Sequence, residues 1–68
     1  MKLKLINLIN ELNNNNIKYN LYKNYKNSYT IIFENFYIEY HNKKRIKYKD
    51  INNEKYINLK ELKTTLFI

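Results

Sequence analysis

The alternation of apolar and polar side chains between Tyr29 and Tyr40 reverses its phase halfway along, and this constrains the fold more than any other feature of the sequence. Successive strand residues point to opposite faces of a sheet, so one regular strand would place the two halves on different faces. A two-residue turn at Glu34-Asn35 resolves the conflict, because the resulting hairpin has the three apolar residues of each strand on the same face. A bulge within one long, bent strand is the alternative. The hairpin pairs Phe33 with Phe36, Ile31 with Ile38, and Tyr29 with Tyr40.

A helix is predicted near the start of the chain, from about Lys2 to Asn13. Its apolar residues recur at the three- and four-residue spacing of one helical face. The run Asn13–Asn16 is predicted to end the helix, because asparagine competes for backbone hydrogen bonds and tolerates the left-handed conformation of a cap. The apolar face consists of Leu5, Leu8, Ile9 and Leu12.

A second, shorter helix is predicted at the other end of the chain. Asn58 precedes Glu61 by three residues, which is the spacing of a capping box. Leu59, Leu62 and Leu66 then follow at helical intervals and would form its buried side.

Two more segments have the two-residue period of a strand. One begins at Ile17 and alternates through Tyr19 and Leu21, and the other contains Ile46 and Tyr48. The remaining segments are the predicted connections Lys23–Asn27 and His41–Lys44, and Ile51–Ile57, which is predicted to be irregular.

These elements predict a single small α+β domain spanning residues 1–68, in the order helix, three or four antiparallel strands, helix. Both helices are expected to pack on one face of the sheet. A chain of this length buries only about 60% of its unfolded surface, so dimerisation or partner binding is an expected source of further burial. The predicted core consists of Leu5, Leu8, Ile9, Leu12, Ile31, Phe33, Ile38, Leu59 and Leu62.

The order α–β–β–β–α is similar to that of the double-stranded-RNA-binding domain, and Leu8-Ile9-Asn10-Glu11-Leu12 resembles the first helix of that family. That family opens its second helix with a basic cluster. The corresponding segment here, Asn58–Lys63, has scattered lysines with a glutamate among them. The resemblance therefore concerns topology, which implies little about function.

Composition excludes several classes of site. The chain has no Cys, Gly or Pro, which excludes disulfides, thiolate metal sites, P-loops and Rossmann phosphate turns. His41 is the only imidazole and lies at a predicted turn, where a solvated role is expected. No second His or Cys can complete a metal site or a nucleophile–base pair. We therefore expect no enzyme activity, no metal and no cofactor.

The composition also indicates a strongly AT-biased gene. Asn is present fourteen times, Lys, Ile and Tyr are abundant, and Ala, Val, Gln and Trp are absent. Such bias is typical of a low-GC bacterium, a phage or a mobile element, and it accounts for part of the net charge of +7. Residues Met1–Leu12 are too short and too polar for a signal peptide or a membrane span, so a cytoplasmic location is expected.

The segment from Lys43 to Lys49, called the basic segment below, carries five positive charges in seven residues. On a strand, Arg45, Lys47 and Lys49 would project from one face at intervals of about 6.5–7 Å, which resembles the spacing of phosphates. Lys18 and Lys23 would join them if the first strand lies near. A solvated outer face, with lysines that protect a strand edge from aggregation, is the alternative.

Eight tyrosines are a high number for this length. Tyr29, Tyr40 and Tyr48 are expected at the core or its edge, whereas exposed tyrosines beside lysines are typical of recognition surfaces. The candidate binding residues are Lys43, Lys44, Arg45, Lys47, Lys49, Tyr22, Tyr37, Tyr48 and Tyr56.

Two functions remain. The first is a stoichiometric inhibitor or modulator, encoded by a phage or mobile element and similar in kind to anti-CRISPR proteins, that docks on a host nucleic-acid-handling defence complex and blocks it sterically. The second is a basic module that binds DNA or RNA directly through the basic segment. The expected partners are accordingly a host protein or nucleoprotein complex, nucleic acid, or a second copy of the chain, and no membrane.

Overall fold

A computed structural model describes residues 3–24, 28–41 and 46–67. One helix precedes and one helix follows a five-stranded antiparallel sheet along the chain. The strands of the sheet lie in chain order from β1 to β5. The α+β class and the element order are thus confirmed. The elements are α1 (Leu3–Asn14), β1 (Asn20–Lys23), β2 (Tyr29–Ile32), β3 (Phe36–Tyr40), β4 (Ile46–Asp50), β5 (Glu54–Ile57) and α2 (Leu59–Phe67).

The predicted hairpin at Glu34-Asn35 is present in the predicted register. Tyr29 pairs with Tyr40 and Ile31 with Ile38, and the Phe33 N–H donates to the Phe36 carbonyl across the turn at 2.9 Å. A shift of either strand by one residue would turn its apolar side chains to the opposite face. The two-residue loop and the burial of both apolar sides on one face therefore select this register.

The predicted number of strands is wrong, because the segment that was expected to be irregular contains β5. Its four residues pair with β4, from Lys49 opposite Glu54 to Ile46 opposite Ile57. Glu54, Lys55 and Tyr56 are all exposed, so the segment has only one buried side chain and no recognisable alternation. Its strand conformation follows from pairing with its neighbour rather than from its own pattern.

The predicted ends of the helices are largely confirmed. Asn16 has a φ of 56°, the left-handed conformation expected of an asparagine that terminates a helix. At α2, the Glu61 N–H donates to Asn58 Oδ1 at 2.8 Å, so Asn58 is the N-cap. The first strand begins later than expected, at Asn20, since Ile17 and Tyr19 lie in the connection from α1.

The core lies between the helices and one face of the sheet. Leu5, Leu8 and Leu12 of α1 and Leu62 of α2 are fully buried in one cluster with strand residues. The Lys63 ammonium lies 3.0 Å from Glu11 Oε1 and links the two helices. Ile9 and Leu59, which were predicted in the core, are partly buried against it. The core residues outside the helices are Tyr29, Ile31, Phe33, Ile38, Tyr40, Ile46 and Ile57.

Candidate functional site

The face of the sheet opposite the helices is the candidate functional site, and we call it the open face. Its side chains alternate along each strand with those of the core, and Tyr22, Ile32 and Tyr56 are 53%, 41% and 63% exposed. The open face consists of Asn20, Tyr22, Thr30, Ile32, Tyr37, Glu39, Lys47, Lys49, Glu54 and Tyr56.

The strand register arranges these side chains in two rows that cross all five strands. Neighbours within a row lie on adjacent strands, about 4.8 Å apart, and the rows are separated by the two-residue strand repeat of about 6.5–7 Å. The first row is Tyr22, Thr30, Glu39, Lys47 and Tyr56, and the second is Asn20, Ile32, Tyr37, Lys49 and Glu54.

The open face has an uncharged half and a charged half. The β1–β2 side and Tyr37 of β3 carry tyrosine, isoleucine, threonine and asparagine side chains without any charge. The other half carries two glutamates and two lysines, contributed by β3, β4 and β5. Two aromatic side chains and an isoleucine are therefore grouped beside a charged region, in the way that interface cores adjoin polar rims.

The charges in the charged half balance one another. Lys47 Nζ lies 2.8 Å from Glu54 Oε1, and Lys47 is directly opposite Glu39 across the β3–β4 pair. The hydrogen bond from Lys47 lowers the pKa of Glu54, and the same bond raises the pKa of Lys47. Lys49 is directly opposite Glu54. Because each lysine has a carboxylate beside it, this part of the open face has no excess positive charge to attract phosphates.

The basic segment is only partly visible in the structure. Lys43, Lys44 and Arg45 lie outside the described residues. Lys47 and Lys49 do project from one face of β4, as the sequence predicted. The adjoining glutamates come from β3 and β5, which are neighbours of β4 only in the folded sheet.

The predicted tyrosines do not all lie together. Tyr22, Tyr37 and Tyr56 are on the open face, with Tyr37 half-buried. Tyr48 is on the face covered by the helices, where its ring stacks on Phe36 with centroids 4.9 Å apart. The Lys55 ammonium lies 5.3 Å from the centroid of the Tyr48 ring. Tyr48 is therefore at the edge of the core, and its ring is on the opposite side of β4 from Lys47 and Lys49.

Lys18 and Lys23 do not join the charged half. The first strand lies at one edge of the sheet, with β2 and β3 between it and β4. Lys23 is also opposite Tyr29, a core residue, and so does not share the open face with the lysines of β4.

Sequence reasoning did not include Ile32, Glu39 or Glu54 among the candidate binding residues. Ile32 lies between two core residues in the chain, and its polarity gives no sign that it points outward. Glu54 was assigned to an irregular segment, although Asp50 and the two asparagines before it form a turn signal that would have allowed a hairpin with β4.

Asp50 organises that turn. Its Oδ1 accepts hydrogen bonds from the backbone N–H groups of Asn52 and Asn53 at 2.8 and 2.6 Å, and its Oδ2 accepts from the Tyr48 hydroxyl at 2.7 Å. The bond from Tyr48, followed by those from the backbone, lowers the pKa of Asp50, and the same bond raises the pKa of Tyr48.

The hydrogen bond from the Tyr48 hydroxyl to Asp50 predicts a loss of stability at both extremes of pH. The depressed pKa of Asp50 contributes stability above its unfolded value of 3.8, and that contribution is lost as the pH falls toward the folded pKa. The raised pKa of Tyr48 contributes stability below its unfolded value of 10.0, and that contribution is lost as the pH rises through the folded pKa. Thermal unfolding followed by circular dichroism should therefore show a lower Tm at about pH 3 and about pH 11 than at pH 7.

The Tyr48→Phe variant keeps the ring stack and removes the hydrogen bond, so its Tm should fall less than that of the parent protein at both extremes. Tyr22→Phe, at an exposed tyrosine, is the matched control and should show the parent's pH profile. A Tyr48→Phe profile that coincides with the parent's at both ends would contradict this assignment.

His41 follows β3, and its Nε2 lies 3.6 Å from Glu39 Oε2. Within residues 3–24, 28–41 and 46–67, no three acidic or histidine side chains are grouped as a metal site would require. Neither described helix has the length and apolar character needed to cross a membrane. Comparison of the chain with family models, curated proteins and solved structures found no match.

Proposed function

We propose that this chain is a small non-enzymatic binding protein that docks through the open face of its sheet on a protein partner. The observation that carries the proposal is the combination of an uncharged, tyrosine- and isoleucine-bearing half with a charge-balanced half on one exposed sheet face. Tyrosine supplies a large contact area at low entropic cost, and balanced charges select a partner's orientation more than they increase affinity.

The partner that we propose is a component of a host nucleic-acid-handling defence complex, which the chain would inhibit by steric docking in the host cytoplasm. The AT-biased composition and the small, motif-poor domain are the features that favour this anti-CRISPR-like role for a phage or mobile-element protein. A protein of net charge +7 does not imitate DNA, so the inhibitor would act by covering a functional surface.

The test compares two variants that make the same change of charge at exposed apolar residues. Ile32→Glu places a carboxylate in the uncharged half of the open face, and Leu3→Glu places one on α1, where the side chain is 70% exposed. Each tagged protein is used to recover partners from nuclease-treated lysate of a low-GC bacterium. We expect a discrete protein complex that withstands moderate salt, binds the Leu3→Glu variant normally and binds the Ile32→Glu variant about 30-fold more weakly. Equal recovery by the two variants would rule out docking through the open face.

Direct nucleic-acid binding is the second candidate, and the net charge of +7 favours it. Binding to a labelled single-stranded oligonucleotide would then weaken steeply with salt, with a logarithmic slope of about −0.7 for each phosphate contacted. The triple variant Arg45→Glu, Lys47→Glu and Lys49→Glu would abolish this binding, whereas Ile32→Glu would retain most of it. Recovery of nucleic acid alone, lost as the salt concentration rises, would favour this function over protein docking.

A further inference from the structure

The outer edge of β5 has backbone hydrogen-bonding groups that no described strand uses. Among the described strands β5 is the last of the sheet and pairs with β4 alone. Because the Asp50 N–H donates to the Asn53 carbonyl at 2.9 Å, hydrogen-bonded and non-hydrogen-bonded pairs alternate from that point along the hairpin. The N–H and C=O groups of Lys55 and Ile57 therefore point toward β4, and those of Glu54 and Tyr56 point outward.

The side chains that would normally protect such an edge are held on the inner side of β5. Charged residues commonly prevent edge strands from pairing with other chains. Here the Glu54 carboxylate is 2.8 Å from Lys47 on the open face, and the Lys55 ammonium is 5.3 Å from the centroid of the Tyr48 ring on the other face. Both contacts draw the charged groups toward β4, and Tyr56 remains 63% exposed beside the edge.

We propose that a second copy of this chain pairs with the outer edge of β5, in antiparallel orientation and with Tyr56 opposite Tyr56 of the second copy. Residues directly opposite each other in an antiparallel pair point to the same face of the sheet. In a symmetric pair of β5 strands, the two-fold axis must therefore pass between one residue and the same residue of the second copy, and the register is named by that central residue. Centring on Glu54 or on Lys55 places like charges directly opposite each other. Centring on Ile57 runs the strand against the start of α2.

The register centred on Tyr56 avoids these conflicts. It places two tyrosine rings side by side on the open face, Lys55 opposite Ile57 of the second copy, and Glu54 opposite Asn58 of the second copy. Tyr56 and Tyr56 of the second copy then form a hydrogen-bonded pair, in which the N–H of each donates to the C=O of the other.

Such a dimer would join two five-stranded sheets into one continuous sheet of ten strands. Its two-fold axis is perpendicular to the sheet, so both open faces lie on the same side and form one extended surface. The dimer does not depend on the proposed function, since it is measured with the purified chain alone. Each copy carries a charge of +7, so we expect association to strengthen as salt screens the repulsion, whereas binding to nucleic acid weakens.

The absence of cysteine from the chain allows a test of the register by single substitutions. In Tyr56→Cys the two Cα atoms would lie about 5.5 Å apart, within the range that a disulfide spans. In Glu54→Cys they would be separated by four residues of strand, about 13 Å, which is too far. Tyr22→Cys, at the other edge of the sheet, is the control for disulfides that form through chance collisions. Under mild oxidation we expect a covalent dimer from Tyr56→Cys well in excess of that from either control. Equal cross-linking of the three variants, or none, would overturn the proposed pairing.

The Tyr56→Pro variant tests the same interface by an independent measurement. Its missing N–H points away from β4, so the fold should survive, as circular dichroism would verify. Light scattering should give twice the 8.5 kDa chain mass for the parent at high concentration. The dimerisation of Tyr56→Pro should be weakened about 30-fold, because two intermolecular hydrogen bonds are lost. A parent protein that stays monomeric at all salt and protein concentrations would refute the proposal, as would a folded Tyr56→Pro variant that dimerises equally well.

Discussion

Replacing Leu8 by alanine is expected to lower the free energy of unfolding by about 2–5 kcal/mol. Leu8 is fully buried at the centre of the apolar face of α1, within the cluster that joins both helices to the sheet. Its removal leaves a cavity that short helices and strands can fill only in part. A domain of 68 residues has about 3–10 kcal/mol of stability in total, so Leu8→Ala should remove a large part of it and lower the urea midpoint accordingly.

The measurement is chemical denaturation with urea, followed by circular dichroism. The control is Ile6→Ala, at a residue of the same helix that is 39% exposed, and its loss should be well below that of Leu8→Ala. Similar losses for the two variants would mean that α1 does not pack on the sheet through its Leu5–Leu8–Leu12 face.

The second large effect is expected at β5, and it distinguishes a paired strand from an irregular segment. Ile57 is 4% exposed and lies directly opposite Ile46, so Ile57→Ala should also cost about 2–4 kcal/mol. Ile51 is in the turn between β4 and β5 and is 95% exposed. The same substitution there should change the free energy of unfolding by no more than about 0.5 kcal/mol.

Urea denaturation of the two variants side by side makes the comparison. An irregular segment would leave Ile57 partly solvated, and the two substitutions would then have similar effects. A large difference between them would establish that the last strand is part of the cooperative fold.

Several elements were predictable because their information is local in the chain. The phase reversal between Phe33 and Phe36 favours a turn, since one regular strand with a two-residue period would bury only one of the two halves. The spacing of Leu5, Leu8 and Leu12 requires a helix, and the Asn58–Glu61 spacing marks where the second helix begins. The lysines of β4 were likewise placed on one face by their two-residue spacing.

The candidate site was less predictable, because it depends on residues that are distant in the chain. The lysines at 47 and 49 form a positive segment in the sequence, yet in the sheet they lie between Glu39 of β3 and Glu54 of β5. Tyr48 lies between these two lysines in the chain and was expected at the core or its edge, but its stacking partner Phe36 comes from the neighbouring strand β3.

By itself the sequence determined the α+β class, both helices, the central hairpin and most of the core, because periodicity and capping act over a few residues. Only the tertiary structure decided that a fifth strand forms and that the open face is charge-balanced. Strand pairing brings together residues that are far apart in the chain. It therefore decides which carboxylate lies beside each lysine, and it leaves the outer edge of β5 at Tyr56 without a partner among the described strands.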